Sequence, residues 1–481
     1  MKAAEKKFGL KHWMQEVLKE ADRAAEGFQA DPVHDLRVAL RRCRSMAEVF
    51  QSLDPDPAWK KMRKAGKEVF RCLGDLRDCH VMMEWIQKLG QAQDPVTQKL
   101  LEHSQSREAE LKTEAEQALQ EFDRKQWQSW EGHLSRRAGR LRPDSEPFQC
   151  IALERWAEAQ RLHKIAMKTR SKVGLHRLRI GIKKFRYVVE NFLPRRHEQW
   201  KDSLKEIQDL LGEVHDLDVL LDTAIRIGAF AVPDDRARWQ QRIQAERTPR
   251  VERYREKMLG PNSLWSVWRL GLPQGEDVEL VVQKKLQTWA SYYDSDMQHS
   301  RHVARLTLQL HDGLTRIGVF EEDAGHAREL LKAAAVLHDV GRANGNQDHH
   351  KATQRLVRKL DPPFGWNKED VDMAALIARY HRGALPHDQK ALLSLTPPLQ
   401  QTTKRLAGVL RLADALDRSH EGTVRRLRVT RSAECVIVYA AEFDPESALA
   451  ETVARARHLL EITCGVPIVV RPMEAKNGNA G

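Results

Sequence analysis

The chain has 481 residues, which is long enough for two or three domains with their own cores. Hydrophobic residues make up 41% of it, charged residues make up 31%, and the formal net charge is +12, as expected for a soluble and largely helical protein. No apolar run reaches the ~18 residues needed to span a bilayer, and the first residues lack the apolar core of a signal peptide. The six cysteines form no CxxC pair. A disulfide or zinc framework is therefore not expected, and a cytoplasmic location is.

Residues 5–230 predict successive helices, because apolar positions recur three and four residues apart and polar connectors such as 54–57 and 142–147 separate them. A cationic pattern occurs twice in this region, at a constant offset of 142 positions. Its members are His34, Arg37, Arg41, Arg42 and Arg44 in the first copy and His176, Arg179, Lys183, Lys184 and Arg186 in the second. On a helix, most of these side chains fall within roughly 80° of one another, so each copy forms a cationic row.

A second motif is repeated as well. Leu73–Asp78 is echoed by Leu211–Asp216, and Lys67 and Lys205 each lie seven residues before the glycine of their copy. The stretch 161–186 contains ten Lys or Arg residues and no Asp or Glu. These features predict two equivalent halves around a pseudo-twofold axis, with both cationic rows lining one groove for an extended anion. The alternative is an ordinary solvated helix face.

These segments resemble the CHAD family. VHDLRVALRRCRSM (33–46) and LHRLRIGIKKFRYVVE (175–190) are similar to its signature helices, and LGDLRDCHV (73–81) and LGEVHDLDVL (211–220) are similar to the helix ends that follow. The resemblance covers roughly 5–268 and implies a helical bundle whose basic channel binds inorganic polyphosphate. It implies that both cationic rows, Lys67 and Lys205 contact the polyphosphate. His80 departs from the repeat, since the second copy has Asp218 there.

The second half of the chain begins after a charged helix at 232–259 and a predicted linker at 269–280. Residues 281–420 predict a further helical block, and the domain is expected to extend to about 475. Strands are predicted at Val424–Thr430, Cys435–Ala441 and Val466–Val470, with a helix near 446–460 before the last of them. The fold class is therefore mainly α: an N-terminal pseudo-twofold helical bundle and a C-terminal helical domain with a small β-containing tail.

Histidines and aspartates recur in this block in a pattern suited to binding divalent cations: His302, His338-Asp339, His349-His350, His381 and Asp414. Over 295–420 the set resembles the HD phosphohydrolase superfamily. The resemblance implies that His302, His338, Asp339 and Asp414 are the four defining metal ligands. His350 and His381 correspond to the extra ligands of two-metal members. His350 is preferred to His349, because the spacing His350-x-x-Thr matches the usual pattern.

The mechanism that this resemblance implies is metal-assisted hydrolysis, in which the ion lowers the pKa of bound water and neutralises charge on phosphoryl oxygens. His338, Asp339, Arg342 and Lys351 would be catalytic, and Asp339 would bridge two ions. Arg342, Lys351 and Arg382 would bind phosphate. One or two divalent ions are implied; Mn, Mg, Fe, Ni and Co all remain open.

The match is closer to one family. LLKAAAVLHDVG, DHHKAT, ARYHRG and VLRLADALDRSHEGTV resemble the C-terminal domain of the exopolyphosphatase/guanosine pentaphosphate phosphatase family. That family carries its phosphatase site in N-terminal actin-like domains, which have no counterpart in this sequence. The resemblance thus implies an HD domain with its ligands, joined to a polyphosphate-binding module, rather than that family's own reaction.

The function predicted is a polyphosphate-binding, metal-dependent phosphohydrolase acting on polyphosphate or a related phosphorylated compound. One alternative is an HD enzyme for nucleotides that polyphosphate localises or regulates. Another is a non-catalytic protein of polyphosphate granules. Nucleic-acid binding is disfavoured, because no aromatic residues alternate with the basic ones along the rows. No membrane partner is expected, and the oligomeric state stays open.

Overall fold

A computed structural model describes residues 9–320, 326–345, 347–386 and 390–473. The described residues form two compact units, one within Met1–Gln51 and Pro55–Gly275 and the other within Ser52–Asp54 and Glu276–Gly481. The predicted linker at 269–280 overlaps the ends of two helices, and the domain limits stay a prediction. The tail at 476–481 lies outside the described residues. Among the described helices, none combines the length and apolar character needed to cross a membrane.

The first unit is helical throughout its described residues, which confirms the mainly α prediction for this half. Its helices are α1 (Leu10–Ala25), α2 (Ala30–Gln51), α3 (Pro57–Ala65), α4 (Lys67–Leu89), α5 (Pro95–Gln120), α6 (Arg124–Ala138), α7 (Glu146–Thr169), α8 (Lys172–Phe192), α9 (Pro194–Arg226), α10 (Pro233–Met258) and α11 (Leu264–Leu270). The two cationic rows therefore lie on α2 and α8. The repeated segments Leu73–Asp78 and Leu211–Asp216, here called the Leu-Gly motifs, lie inside α4 and α9 and not at helix ends as predicted, because both helices continue beyond them.

Short polar connectors fix where several of these helices begin. Asp56 accepts a hydrogen bond from the backbone N–H of Ala58 at 2.8 Å, and Pro57 occupies the first turn of α3. Asp94 caps α5 in the same way, through the N–H of Val96 at 3.2 Å. A cap of this kind contributes about 1 kcal/mol to helix stability, and proline at the first position lacks only an N–H that has no partner within the helix.

The contact between α2 and α8 supports the predicted pseudo-twofold relation. Phe50 and Phe192 occupy equivalent positions of the two repeats, and their ring centroids lie 5.7 Å apart with the rings nearly perpendicular. A residue that contacts its own repeat equivalent must lie close to the axis relating the repeats. Phe50 also stacks on Trp59 at 4.7 Å, and Phe192 stacks on Phe148 at 4.4 Å. Both cationic rows are thus carried by helices that meet in an aromatic core.

The second unit is a helical block followed by a small mixed segment. Its elements are α12 (Glu276–Ala290), α13 (Met297–Arg316), α14 (His326–Leu337), a 3-10 turn (Val340–Asn344), α15 (His349–Val357), α16 (Lys368–Arg379), α17 (Lys390–Leu393), α18 (Pro397–Leu416), β1 (Leu427–Arg431), β2 (Val436–Ala440), α19 (Ala448–Ala456), α20 (His458–Cys464) and β3 (Ile468–Pro472). The predicted β-containing tail is confirmed, with strand limits shifted by a few residues and the predicted helix near 446–460 divided in two.

The three strands form one sheet in the order β1-β2-β3, with β1 antiparallel and β3 parallel to β2. Val438 pairs with Val429 on one side and with Val470 on the other. The sheet packs against α13 at a glycine: a Cβ on Gly313 would lie only 2.5 Å from Cγ2 of Val429. The apolar face of α13 therefore lies under the sheet, while the first turn of this helix carries one of the histidines described next.

Candidate functional site

Six polar side chains converge where five helix ends or turns meet in the second unit. Their carriers are the first turn of α13, the end of α14, the start of α15, the residue two positions after α16, and the last turn of α18. The six are His299, His338, Asp339, His349, His381 and Asp414. We call this set the polar cluster. Because helix termini leave backbone groups without partners inside the helix, such a place suits polar side chains better than a mid-helix position.

One part of the polar cluster gathers around a single oxygen of Asp414. Its Oδ1 lies 3.4 Å from Nε2 of His299 and 3.4 Å from Nε2 of His338. Asp339 approaches the same two rings with Oδ2, at 3.8 Å from His299 and 3.5 Å from His338. Two imidazole nitrogens and two carboxylate oxygens therefore surround one point.

The other part uses the second oxygen of Asp339. Its Oδ1 lies 3.3 Å from Nε2 of His349 and 3.8 Å from Nε2 of His381, and these two nitrogens are 3.1 Å apart. Asp339 thus directs one oxygen to each part. Ligand atoms held by one ion at ~2.1 Å stand about 3.0–3.5 Å apart, so most of these separations match a coordination shell.

The side chains of the polar cluster are almost fully buried, so water cannot satisfy their polar atoms. His299, His338, Asp339, His381 and Asp414 are each at most 2% exposed. Within the described residues, Nε2 of His299, Nε2 of His338 and Oδ1 of Asp339 have no hydrogen-bond partner of acceptable geometry. A buried polar atom left in that state costs about 1–3 kcal/mol. A divalent cation would remove that cost, so the residues present fit a metal centre.

The backbone fixes which ring nitrogen faces the polar cluster. Nδ1 of His338 donates to the carbonyl oxygen of Ala335 at 2.7 Å, and Nδ1 of His381 donates to that of Ala378 at 2.6 Å. A carbonyl oxygen can only accept, so Nδ1 carries the proton in both rings. In its neutral form each ring therefore presents the lone pair of Nε2 to the cluster, as metal-binding histidines do.

The electrostatics keep both carboxylates ionised. Burial by itself would raise the pKa of Asp414, but His299 and His338 outweigh it and hold that pKa well below its usual value. The pKa of Asp339 is lowered in the same way, against burial, by His338 and His349. Burial opposes the charged form of His299, yet Asp414 and Asp417 raise its pKa to about 9. The two ionised carboxylates therefore favour the binding of a cation.

Two of the three predicted phosphate-binding side chains lie beside the polar cluster. Nε of Arg342 forms an ion pair with Oδ2 of Asp339 at 3.0 Å, and Nε of Arg382 donates to Oδ2 of Asp414 at 3.0 Å. Lys351 instead donates to Asp348 at 2.9 Å, and its side chain is 52% exposed. The structure therefore does not bring Lys351 to the cluster, because it lies on the outward face of the first turn of α15.

The structure places His302 outside the polar cluster. The sequence pattern assigned it to the cluster, but its Nε2 lies 2.9 Å from the carbonyl oxygen of Val424, and His299 occupies the place beside Asp339 and Asp414. The two histidines are one helical turn apart, so spacing alone did not separate them. The helix cap separates them, because Asp296 accepts a hydrogen bond from the backbone N–H of His299 at 3.1 Å and so fixes His299 in the first turn of α13.

The structure also places His350 outside the polar cluster. Neighbouring residues on a helix point about 100° apart, so only one of two adjacent histidines can face the polar cluster, and that one is His349. The ring of His350 lies 6.5 Å from that of His381. Thr353, on which the spacing argument relied, donates to the carbonyl oxygen of His338 at 2.8 Å and so holds the His338-Asp339 turn in place.

Gly341 explains how α15 approaches this turn. A Cβ on Gly341 would collide with the carbonyl oxygen of His349 and would lie 2.5 Å from the backbone nitrogen of Thr353. The backbone N–H of Gly341 also donates to Oγ1 of Thr353 at 3.0 Å. The glycine after His338-Asp339-Val340 is therefore required for the close approach that brings His349 to Asp339.

The cationic rows of the first unit are only partly accessible to a ligand. Arg42 forms an ion pair and hydrogen bond with Glu190, and it donates to Oδ1 of Asn191 at 2.7 Å. Lys184 donates to Glu48 at 3.0 Å. Arg42 and Lys184 are repeat equivalents, and so are Glu48 and Glu190. These two reciprocal pairs join α2 to α8 across the pseudo-twofold axis, so Arg42 and Lys184 serve in the structure as inter-repeat contacts.

Other members of the rows have unused hydrogen-bonding capacity. Among the described residues, the buried Nε atoms of Arg41, Arg179 and Arg186 and the Nδ1 atom of His176 have no hydrogen-bond partner. Arg37 donates to the carbonyl oxygen of Phe70 at 3.2 Å and Arg44 to that of Arg63 at 2.6 Å, so each is held by the backbone. His34, Lys67 and Lys205 are exposed.

Lys183 and Asp216 are buried among other charged side chains of the first unit, and burial shifts the pKa of each. Burial, followed by the charges of Arg179 and Arg41, lowers the pKa of Lys183 to about 7. Burial raises the pKa of Asp216 to about 6, against the effect of Arg179. His215, whose ring lies 4.5 Å from that of His176, was not predicted. Its place in the Leu-Gly motif of the second repeat was the available signal.

Comparison with known families agrees with this division. Residues 10–224 match the family model of the CHAD domain. Residues 281–452 match the family model of domain III of the Ppx/GppA phosphatase. The cationic rows fall inside the first match and the polar cluster inside the second. Both resemblances are thereby confirmed at the level of these two domains, and the likeness to the HD superfamily stays a prediction.

Proposed function

We propose that this protein is a metal-dependent phosphohydrolase of the HD type that binds inorganic polyphosphate and acts on it or on a closely related phosphorylated compound. The observation that carries the proposal is the polar cluster: its ligand atoms form three overlapping groups, each within 4.8 Å. The groups are His299/His338/Asp339, His338/His381/Asp414 and Asp339/His349/His381. Overlap through Asp339 favours two ions sharing that carboxylate.

The residues of the polar cluster and the two arginines beside it have separate proposed roles. Nε2 of His299 and His338, with Asp414, would hold one ion; His349 and His381 would hold the other. A divalent cation in this place supplies a lowered pKa for water and neutralises charge on a phosphoryl group. Arg342 and Arg382 lie on the carboxylate oxygens at the edge of the cluster, where their remaining N–H groups are suited to bind phosphate oxygens.

The first unit is proposed to capture the polyphosphate. Three points support this: the match to the CHAD domain, the Nε atoms of Arg41 and Arg179 that have no hydrogen-bond partner among the described residues, and the absence of acidic residues from 161–186. Since both units belong to one chain, captured polyphosphate would stay at a high effective concentration for the second unit. This activity is expected in the cytoplasm, with association to polyphosphate granules as a further expectation.

Phosphate release from polyphosphate by the purified full-length protein tests the proposal. We expect release with at least one of Mg²⁺, Mn²⁺, Co²⁺, Ni²⁺ or Fe²⁺ and none after chelation. His338→Ala/Asp339→Ala should lower the rate by ~100-fold or more, since it removes ligands of both ions. His458→Ala, an exposed histidine of the same unit, is the matched control.

Two results would contradict parts of the proposal. Release that survives the double substitution would place the chemistry elsewhere. Metal-dependent hydrolysis of guanosine tetra- or pentaphosphate or cyclic nucleotides, without release from polyphosphate, would replace the proposed substrate by a nucleotide. The same panel should therefore be run with and without polyphosphate.

A further inference from the structure

Asp417 lies one turn beyond the last cluster ligand on α18 and is 1% exposed. Its two oxygens have separate partners. Oδ2 accepts from Nδ1 of His299 at 2.8 Å, and Oδ1 accepts from the backbone N–H of Gly422 at 2.8 Å. A carboxylate is the one short side chain that can accept at both positions without donating at either.

The turn that follows α18 completes the support of the same ring. The ring of His420 stacks on that of His299, with centroids 3.6 Å apart and planes 18° apart. Nδ1 of His420 lies 2.8 Å from Oδ2 of Asp296, the residue that also caps α13. His420 has φ +63° and Gly422 has φ +66°, so this turn needs two left-handed residues to bring both contacts about.

We propose that Asp417 is a positioning residue of the metal centre, which keeps the proton of His299 on Nδ1 and so directs Nε2 toward Asp339 and Asp414. This inference rests on the metal centre of the proposed function. Asp417 is not among the metal ligands implied by the sequence pattern; its hydrogen bond to His299 and its burial assign its role. Such an outer carboxylate typically contributes 10- to 100-fold to metal affinity (an order-of-magnitude value).

Asp417→Asn is the sharpest test because an amide has only one acceptor oxygen for two donors. The N–H of Gly422 cannot change, so the amide oxygen is expected to stay with it. The amide NH₂ then faces His299, whose Nδ1 must accept and whose Nε2 must carry the proton. The ring would present N–H, rather than a lone pair, to the cation.

The measurement is a Co²⁺ titration of the full-length protein, followed by visible absorption and checked by elemental analysis. We expect Asp417→Asn to weaken cobalt binding by ~10-fold or more and to change the absorption spectrum. Asp417→Glu, which keeps two acceptor oxygens, should recover most of the loss. His302→Asn is the matched control, since His302 contacts the same turn through Val424 and lies outside the polar cluster.

The outcomes separate this inference from the function on which it rests. Equal affinity in wild type and Asp417→Asn would overturn it, and so would an equal loss in Asp417→Glu, which would point to packing rather than to the acceptor. If Asp417→Asn does not fold, as judged by circular dichroism, the cobalt affinities of Asp417→Glu and His302→Asn are compared instead. A similar affinity in the two agrees with the inference, and a much weaker affinity in Asp417→Glu overturns it. If the wild type itself binds no cobalt, the proposed metal centre fails first.

Discussion

Asp339 is the residue on which the candidate centre depends most, because its two oxygens face different histidines. Oδ2 lies toward His299 and His338, and Oδ1 lies toward His349 and His381. Arg342 adds an ion pair to Oδ2 at 3.0 Å. At 1% exposure this carboxylate has little contact with water. Its place next to His338 at the end of α14 therefore couples both halves of the polar cluster.

The two histidines of the first turn of α13 give a direct test at this scale. His299→Ala should lower metal-dependent phosphate release by ~100-fold, because it removes a ligand atom beside Asp339 and Asp414. His302→Ala should change the rate by less than about threefold, since that ring contacts the carbonyl of Val424 instead. Initial rates at saturating metal measure both. The opposite order of effects would restore His302 as the ligand.

The adjacent pair at the start of α15 makes an independent prediction. His349→Ala should weaken binding of the second ion and lower its occupancy in elemental analysis. His350→Ala should leave the occupancy unchanged, because the ligand-atom groups of the polar cluster include His349 and not His350. Comparable loss of metal in both variants would mean that the first turn of α15 rearranges around the ions.

Lys183 predicts a pH dependence of polyphosphate binding. Its pKa in the free protein is about 7, lowered by burial and by Arg179 and Arg41, with Asp78 and Asp216 opposing. A bound polyanion favours the charged amine, so affinity should rise as pH falls through 7. Protonation of Asp216, with a pKa of about 6, continues the trend below that. The total change from pH 8 to pH 6 should be about 3- to 10-fold.

Titration of polyphosphate by calorimetry at constant salt measures this dependence. Lys183→Arg is the control, because a guanidinium stays charged throughout and should remove the part of the trend above pH 7. Affinity that is constant or rises with pH in the wild type would contradict the role given to Lys183.

The residue types of the polar cluster were predictable, while the choice between neighbours was not. His338, Asp339, His381 and Asp414 stand alone in their segments, and the structure brings all four together. His299 and His302 share one turn, and His349 and His350 are adjacent, so periodicity offers both. The contacts that separate His299 from His302, the Asp296 cap and the carbonyl oxygen of Val424, exist only in the folded protein.

At the scale of elements, α2 and α8 combine two roles in one cationic pattern. Arg42 pairs with Glu190 of the other repeat, and its repeat equivalent Lys184 pairs with Glu48. Arg41 of the first row and Arg179 of the second remain able to bind a ligand, because their buried Nε atoms have no hydrogen-bond partner among the described residues. A sequence pattern records the charges of a row but not which of them the opposite helix neutralises.

Substitutions in the two classes should therefore separate stability from binding. Arg42→Ala should destabilise the first unit by about 1–3 kcal/mol, because it leaves partly buried Glu190 and Asn191 without their partner. Arg179→Gln should weaken polyphosphate binding and lower the slope of log affinity against log salt by about one, as for any lost phosphate contact. Chemical denaturation and salt-dependent binding measure the two effects. A loss of salt slope in Arg42→Ala equal to that in Arg179→Gln would contradict the division.

Element limits followed from local chemistry more than from periodicity. The connectors at 54–57 and 142–147 were visible as Pro and Asp clusters, and Asp56 in the first connector caps α3. The strands near the end were placed within a few residues by their β-branched runs. The division of the predicted helix near 446–460 into α19 and α20 was missed, since Arg457 carries no breaker signal.

For the whole molecule, the repeat and the two families defined the organisation before any contact was known. An internal offset of 142 positions predicted paired halves, and Phe50 contacting Phe192 is the physical expression of that symmetry. The polar cluster, by contrast, draws on α13, α14, α15, α16 and α18, which span more than a hundred residues. Its geometry depends on tertiary packing that no local pattern specifies.

Metal binding should stabilise the second unit, because the unpartnered Nε2 and Oδ1 atoms gain ligands only in the folded state. An ion at 100 times its Kd contributes about 2.7 kcal/mol. Thermal unfolding followed by calorimetry should show a transition that moves down with a chelator and up with added metal. The transition of the first unit should not move. A transition of the second unit that ignores metal, or that still responds in His338→Ala/Asp339→Ala, would contradict this expectation.

The most direct test of the metal centre is anomalous diffraction from crystals soaked with Mn²⁺ or Co²⁺, collected at the absorption edge of the metal. We predict one or two anomalous peaks bounded by His299, His338, Asp339, His349, His381 and Asp414, with Asp339 bound to both ions when two are present. Peaks coordinated by His302 or His350, or the absence of any peak among these residues at saturating metal, would contradict the metal centre described.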